Sequence, residues 1–153
     1  MRLRGGEMFD FIVALILTIA ANVGVPPYFA LAVAIEENHS LNPNAVSPVN
    51  QNGTVDLGVM QLNSAYYGDI EWQDPTTNIL AGCLHIKGLM DRPEVNTYWT
   101  VAVAYNCGLA RFFSEEGPPA ASLSFGDRVI RRWLDLAGMQ YINPVINRGR
   151  VWP

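Results

Sequence analysis

Residues 38–58 interrupt an otherwise apolar, helix-forming chain with a polar segment rich in Asn, Pro, Ser and Gly. So many residues that break regular structure exclude a long helix or a long strand there. Half of the 153 residues are hydrophobic, so the segments on either side can bury a core. We therefore expect a loop-rich insert between helices, with a short hairpin turned by Asn52-Gly53.

The segments around this insert carry start and stop signals for helices. Proline is tolerated in the first turn of a helix, an Asp before it caps the helix, and glycine ends it. Four helices are predicted in this way: "YFALAVAIEE" after Pro26-Pro27, a segment from Asp74-Pro75 to residue 90, a segment from about 97 to 106 stopped by Gly108, and a segment with Phe125, Val129 and Trp133 that ends at Gly138.

Length and charge limit the classes of function. A chain of 153 residues is predicted to form a single domain, 1–153, and a monomer is expected. The formal net charge of −4 and the scattered basic residues predict no nucleic-acid partner. Cys83 and Cys107 are too few for a disulfide framework and lack the spacing of a zinc site. They either pair in an oxidising compartment or are small buried hydrophobic residues.

The N-terminus allows two interpretations. "MRLRGGEMFDFIVALILTIAANVG" has the outline of a secretory signal or a membrane anchor, but the apolar run Phe11–Val23 is only thirteen residues long. A spanning helix needs about 20. We favour a first helix of the domain over a removed signal, with a flexible N-terminus at 1–8. An irregular C-terminal tail is expected at 139–153.

Two adjacent glutamates, Glu36 and Glu37, end the apolar helix. Desolvation and the partial negative charge of a helix C-terminus both raise a carboxyl pKa. A glutamic acid that stays protonated near neutral pH can donate its proton to a leaving glycosidic oxygen. The alternative is that both carboxylates are merely solvated at the helix end.

The ordered series "LAVAIEEN", "LNPNAVSP", "DLGVMQLN", "NILAGCLHIKGL" and "AVAYNCG" resembles the lytic transglycosylases of the Slt type, which have the goose-lysozyme-like fold. The resemblance covers roughly Phe9 to Leu136. It implies a mainly α (α+β, lysozyme-like) fold, in which a helical domain with a loop-rich insert and a small β-hairpin surrounds a glycan cleft. It also implies a peptidoglycan substrate and no metal or organic cofactor.

The resemblance assigns roles residue by residue. The family glutamate falls on Glu37, with Glu36 as the minor alternative. Asn38 replaces the usual serine, and the chain has one more residue than usual before Asn42-Pro43. The residues implied in substrate binding are Ser47, Asp56, Met60, Gln61, Asn63, Tyr105 and Asn106. Of these, Ser47 is implied to support the glutamate and the sugar, Met60 and Gln61 to line the cleft, and Tyr105 and Asn106 to face the catalytic carboxyl.

Asp56 keeps a second mechanism open, because "NQNGTVDLGVMQLNSAYYGD" also resembles the active-site hairpin of animal-type lysozymes. In a retaining muramidase Asp56 would be the second carboxylate beside Glu37. In a lytic transglycosylase Glu37 alone acts as acid and then as base, and a 1,6-anhydro-MurNAc end forms. A third reading gives Asp56 only a structural role, bonding backbone amides of the turn at 51–54.

The same resemblance predicts a protein of the bacterial cell envelope or periplasm that binds peptidoglycan glycan strands, with association to a secretion or phage apparatus as a further context. Pyranose rings stack on aromatic faces, so Tyr66, Tyr67, Tyr105 and Tyr141 are expected to contribute to the groove. The alternative outside the enzymes is a glycan-binding or envelope-assembly module that has lost turnover.

Overall fold

A computed structural model describes residues 3–138 of the chain, so the predicted tail at 139–153, with Tyr141, lies outside the described residues. Within residues 3–138 there are seven helices and one two-stranded antiparallel sheet, the mainly α architecture that the sequence predicts. The described residues form two compact units, divided between Leu84 and His85. The single-domain arrangement stays a prediction.

The helices and strands follow in chain order. They are α1 (Gly5–Val23), α2 (Pro27–Glu37), β1 (Asp56–Leu57), β2 (Leu62–Asn63), α3 (Ser64–Tyr67), α4 (Pro75–Met90), α5 (Tyr98–Cys107), α6 (Leu109–Phe112) and α7 (Ala120–Leu136).

Helix α1 is longer than its apolar run. Glu7 accepts a hydrogen bond from the backbone N–H of Arg4 at 2.9 Å, so the helix begins at Gly5, inside the segment 1–8 where a flexible N-terminus is expected. Its 19 residues correct the expectation of a segment too short to span a bilayer. By length and composition α1 can cross a membrane, a test that buried core helices and signal sequences also pass.

One stripe of α1 packs against α2. Ile12, Ile16 and Ala20 recur every four residues and are fully buried, whereas 17% of the most apolar window of α1 is buried in total. Gly24 ends the helix in the left-handed conformation, with φ of 84°. The place of α1 as the first helix of the domain stays a prediction.

The middle of helix α2 is buried on every side. It begins at Pro27, where the missing N–H costs no hydrogen bond, and the six consecutive residues from Phe29 to Ala34 are at most 3% exposed. Burial then decreases, and Glu36 and Glu37 at the C-terminus are partly exposed. The helix therefore delivers two carboxyl groups from the core to the surface.

The insert folds by backbone pairing over short distances. Asn52-Gly53 forms the predicted turn, where the Asn50 N–H donates to the Thr54 carbonyl at 2.8 Å and Gly53 has φ of 83°. The assigned strands come later: Asp56 pairs with Asn63 and Leu57 with Leu62, so that the turn of the β1–β2 hairpin is residues 58–61.

The unit that begins at His85 is built on α5 and α7, which pack against each other. Thr97 caps α5 by accepting the N–H of Thr100 at 3.0 Å, and Gly108 ends it as predicted. At Gly126 of α7 an added Cβ would lie 2.7 Å from the Val103 side chain, so this glycine permits the close approach of the two helices. Gly138, at φ of 73°, follows the end of α7.

Candidate active site

Glu37 is the last residue of α2, and the next residue anchors it. Asn38 is 8% exposed, and its backbone N–H continues the helix by donating to the Ala34 carbonyl at 2.9 Å. Its side-chain Nδ2 donates to the carbonyl oxygens of Asn42 at 3.0 Å and Gly58 at 3.2 Å. Its Oδ1 accepts from the Ser40 hydroxyl at 3.2 Å and from the Asn42 N–H at 3.4 Å. All four hydrogen-bonding positions of the amide are thus used.

The extra residue before Asn42-Pro43 is absorbed in a tight turn. The Leu41 N–H donates to the Asn38 carbonyl at 2.8 Å, and Leu41 has φ of 51° while its side chain is 1% exposed. A non-glycine residue in the left-handed region carries strain, which the buried leucine side chain and the Asn38 bonds offset.

The turn 58–61 carries the predicted cleft amide. Gln61 has φ of 51°, and its Nε2 donates to the Gly58 carbonyl at 2.9 Å. Gly58 itself has φ of 74°, and a Cβ there would lie 2.8 Å from the Trp72 carbonyl oxygen. Only glycine fits this position, because both the backbone conformation and the space exclude a side chain.

Asn78 of α4 holds the same turn from within the protein. This residue is fully buried, its Nδ2 donates to the Leu57 carbonyl at 3.0 Å and its Oδ1 accepts the Met60 N–H at 2.8 Å. A buried amide that satisfies two backbone groups of a turn fixes the turn strongly. Sequence reasoning missed Asn78, an amide in the first turn of α4 directly before the apolar residues Ile79 and Leu80.

Met60 was predicted to line the cleft, and its position corrects this. It is 0% exposed, and its side chain packs over Gly82 of α4, where an added Cβ would lie 2.6 Å from the Met60 Cγ. A side chain without exposed surface cannot contact a glycan strand. Met60 therefore supports the turn from the core, because the apolar thioether fills the space that Gly82 leaves.

Asp56 is held by side-chain amides. Its Oδ2 accepts from Asn50 Nδ2 at 3.4 Å and its Oδ1 from Asn63 Nδ2 at 3.3 Å, whereas the sequence suggested backbone amides of 51–54 as partners. Ser47 fixes the backbone of the same residue: the Ser47 Oγ accepts the Asp56 N–H and the Ser47 N–H donates to the Asp56 carbonyl, both at 2.9 Å. The side chain and the backbone of Asp56 are thus both hydrogen-bonded within the insert.

Asn63 links the hairpin to α3. Its Oδ1 caps that helix by accepting the Ala65 N–H at 3.0 Å, while its Nδ2 donates to the Thr54 hydroxyl at 2.9 Å as well as to Asp56. The three predicted residues Ser47, Asp56 and Asn63 therefore form one connected polar network. Tyr66, in the short helix that follows, is 84% exposed.

Tyr105 and Asn106 lie near the C-terminus of α5, in the second unit. The Tyr105 ring is partly exposed and lies 5.3 Å from the His85 ring, centroid to centroid, at an angle of 53°. Burial lowers the pKa of His85, so burial favours the neutral imidazole beside the tyrosine.

The Asn106 side chain has a defined orientation. Its Oδ1 accepts from the hydroxyl of Ser122, a residue of α7 that is 2% exposed, at 2.7 Å. Cys107, the next residue, and Cys83 are both free thiols, and Cys83 is buried, as expected of a small hydrophobic residue. Burial raises the pKa of Cys83 to about 12.

Within residues 3–138 no group of three or more His, Cys, Asp and Glu side chains could hold a metal ion. The chemistry available at the end of α2 is that of a carboxyl group, with amides and hydroxyls on the neighbouring turn.

Comparison with known proteins agrees with this geometry. The chain matches the family described as Transglycosylase SLT domain over residues 14–118, a range that starts within α1 and includes α2, the hairpin, α4 and α5. No curated protein matches the chain. Membership of this family supports a peptidoglycan-acting function of the lytic transglycosylase type. Because the match covers more than half of its length, the chain belongs to the Transglycosylase SLT domain family.

Proposed function

We propose that this protein is a peptidoglycan lytic transglycosylase that cleaves the MurNAc-GlcNAc β-1,4 bond and leaves a 1,6-anhydro-MurNAc end. The observation that carries the proposal is the placement of Glu37 at the exit of a buried helix. The residue after it is bonded through its side chain to the turn that presents Gln61. General acid catalysis requires an acid held within hydrogen-bond reach of the leaving oxygen, and the Asn38 bond to Gly58 restrains the helix end that carries Glu37.

Glu37 serves as the acid and then as the base. Its carboxyl donates a proton to the glycosidic oxygen, which leaves as the 4-hydroxyl of GlcNAc while the acetamido group of MurNAc supports the developing positive charge. The Glu37 carboxylate then takes the proton of the MurNAc 6-hydroxyl, whose oxygen bonds to the anomeric carbon. One C–O bond is broken and one is formed, and no water is consumed.

The family match supports this mechanism over the retaining muramidase. Both carboxylate oxygens of Asp56 accept from asparagine side chains that also bind the rest of the insert. We assign Asp56 to the support of the hairpin and to substrate contact at its partly exposed edge.

The remaining predicted residues are assigned to the glycan strand. Gln61, Asn63 and Ser47 present amides and a hydroxyl on the insert, and Tyr105 and Asn106 present a phenol and an amide at the end of α5. We place the protein as a monomer in the bacterial envelope, acting on glycan strands alone or with a secretion or phage apparatus. The stripe of α1 packed against α2 supports its place as the first helix of the domain.

Mass spectrometry of the soluble products from purified peptidoglycan tests the proposal. The wild type should release anhydro-muropeptides, which are lighter by one water than hydrolysed muropeptides, and Glu37→Gln should release none. Products with a reducing end would refute the proposal and support the retaining muramidase mechanism. Binding without products from several wall types would replace it by the non-catalytic module.

A further inference from the structure

We propose that Asn38 is a positioning residue for the reaction, one that holds the Glu37 carboxyl in register with the Gln61 turn. This inference rests on the proposed function of Glu37. It concerns a residue that stands where the resembled family carries a serine, so the family pattern does not supply it.

Asn38 lies where it can restrain the end of the helix that carries Glu37. Glu37 is the last helical residue, and helix ends fray unless a cap holds them. The Asn38 backbone closes the final turn on Ala34, and its side chain ties the helix end to two carbonyl oxygens, those of Asn42 and Gly58. A shift of the Glu37 backbone relative to the turn 58–61 would therefore strain the buried hydrogen bond from Asn38 to the Gly58 carbonyl.

The chemistry of the amide is specific to this task. An asparagine has two N–H donors, and both are used on the carbonyls of Asn42 and Gly58. A serine has one donor, so it can satisfy at most one of these oxygens. With the extra residue in this chain, the longer amide bridges a loop that the shorter hydroxyl would leave open.

The shared acceptor couples Asn38 to substrate contact. The Gly58 carbonyl oxygen also accepts from the Gln61 side chain and from its backbone N–H at 3.2 Å. Displacement of this carbonyl would turn Gln61 away from its place. Because a misplacement of about 1 Å can reduce a rate by about a hundredfold, the loss of the Asn38 donors should appear mainly in kcat.

The experiment measures total bond cleavage on a soluble glycan fragment by wild type, Asn38→Ser and Asn38→Asp. Asn38→Asp keeps the acceptor oxygen and removes both donors. If the carboxylate that it introduces prevents folding, Asn38→Ser provides the second test. We expect kcat to fall by about tenfold to a hundredfold in both variants, with little change in KM. Glu37→Gln in the same series tests the proposed function separately. Because total bond cleavage is counted, the comparison among the Asn38 variants holds whichever products form.

Two controls separate positioning from stability. Asn78→Asp makes the same change in the other buried amide that bonds to the hairpin, through Leu57 and Met60, and should lower Tm with a smaller loss of kcat. Asn44→Asp, which adds a charge at an exposed site of the same loop, is the control for the effect of the charge alone. A double-mutant cycle of Asn38→Ser with Gln61→Ala should be non-additive in kcat. Wild-type kcat in both Asn38 variants, or an equal loss in Asn78→Asp at equal Tm, would overturn the inference.

Discussion

Asn38 and Gln61 donate side-chain hydrogen bonds to one oxygen atom, the Gly58 carbonyl, at 3.2 and 2.9 Å. The end of the helix that carries the candidate acid and the turn that carries the cleft amide are thus joined at a single backbone group. No other residue fits at position 58, so the geometry of the site depends on a glycine that itself performs no chemistry.

Glu37→Gln should reduce bond cleavage by about a hundredfold or more, because the amide cannot supply the proton that the leaving oxygen needs. Its Tm should stay close to that of the wild type, since the side chain is partly exposed. Glu36→Gln is the matched control and should keep most of the activity in the same cleavage assay. The reverse order of the two variants would move the catalytic role to Glu36.

Asp56→Asn should retain most of the activity and the same anhydro products, because its carboxylate is assigned to the hairpin network with Asn50 and Asn63. Rates and product masses should be measured together. A loss of several orders of magnitude in a folded variant would restore Asp56 as the second catalytic carboxylate.

Asn78→Ala should lower the free energy of unfolding by about 2–4 kcal/mol, because the Met60 N–H and the Leu57 carbonyl would each lose their partner. Urea denaturation measures this change. Asn44→Ala, at an exposed position, should change the stability by less than about 0.5 kcal/mol. Equal effects at the two sites would contradict the role of Asn78 in holding the turn.

Two glycines of α4 should respond oppositely to alanine. At Gly82 the new Cβ would lie 2.6 and 2.7 Å from Met60 Cγ and Cβ, so Gly82→Ala should destabilise by about 1–3 kcal/mol. At Gly88 nothing lies within 4 Å, so Gly88→Ala should stabilise the helix by up to about 1 kcal/mol. Thermal unfolding of both variants checks the contrast, and stabilisation by Gly82→Ala would show that Met60 can move aside.

His85 should make stability fall at acidic pH. Burial lowers its pKa from the ordinary value of 6.5, so the unfolded chain takes up this proton at a higher pH than the folded protein does. The contribution of His85 is therefore complete above about pH 6.5 and is lost as the pH falls towards the folded pKa. His85→Phe keeps a ring beside Tyr105 and should weaken this dependence in urea denaturation at pH 7.5 and 5. An identical slope in both proteins would refute it.

Local sequence signals determined the main helices. Pro27 at the first position of α2, the Asp74 cap before α4 and Gly108 after α5 act within one turn of the chain, so their effect can be read without knowledge of the fold. The same holds for Glu37 at the end of an apolar helix. The order of the motifs then indicated the family that the match over residues 14–118 confirms.

Tertiary structure alone decided which polar residues support the site. Asn78 lies 18 residues from Met60 and Asn38 lies 20 from Gly58, so neither hydrogen bond follows from a local pattern. Met60 illustrates the same limit, because a methionine between Val59 and Gln61 can face a cleft or a core, and the absence of a side chain at Gly82 directs it inward. Helix caps depend on neighbours in the chain, whereas buried amides satisfy backbone groups that become neighbours only when the chain is packed.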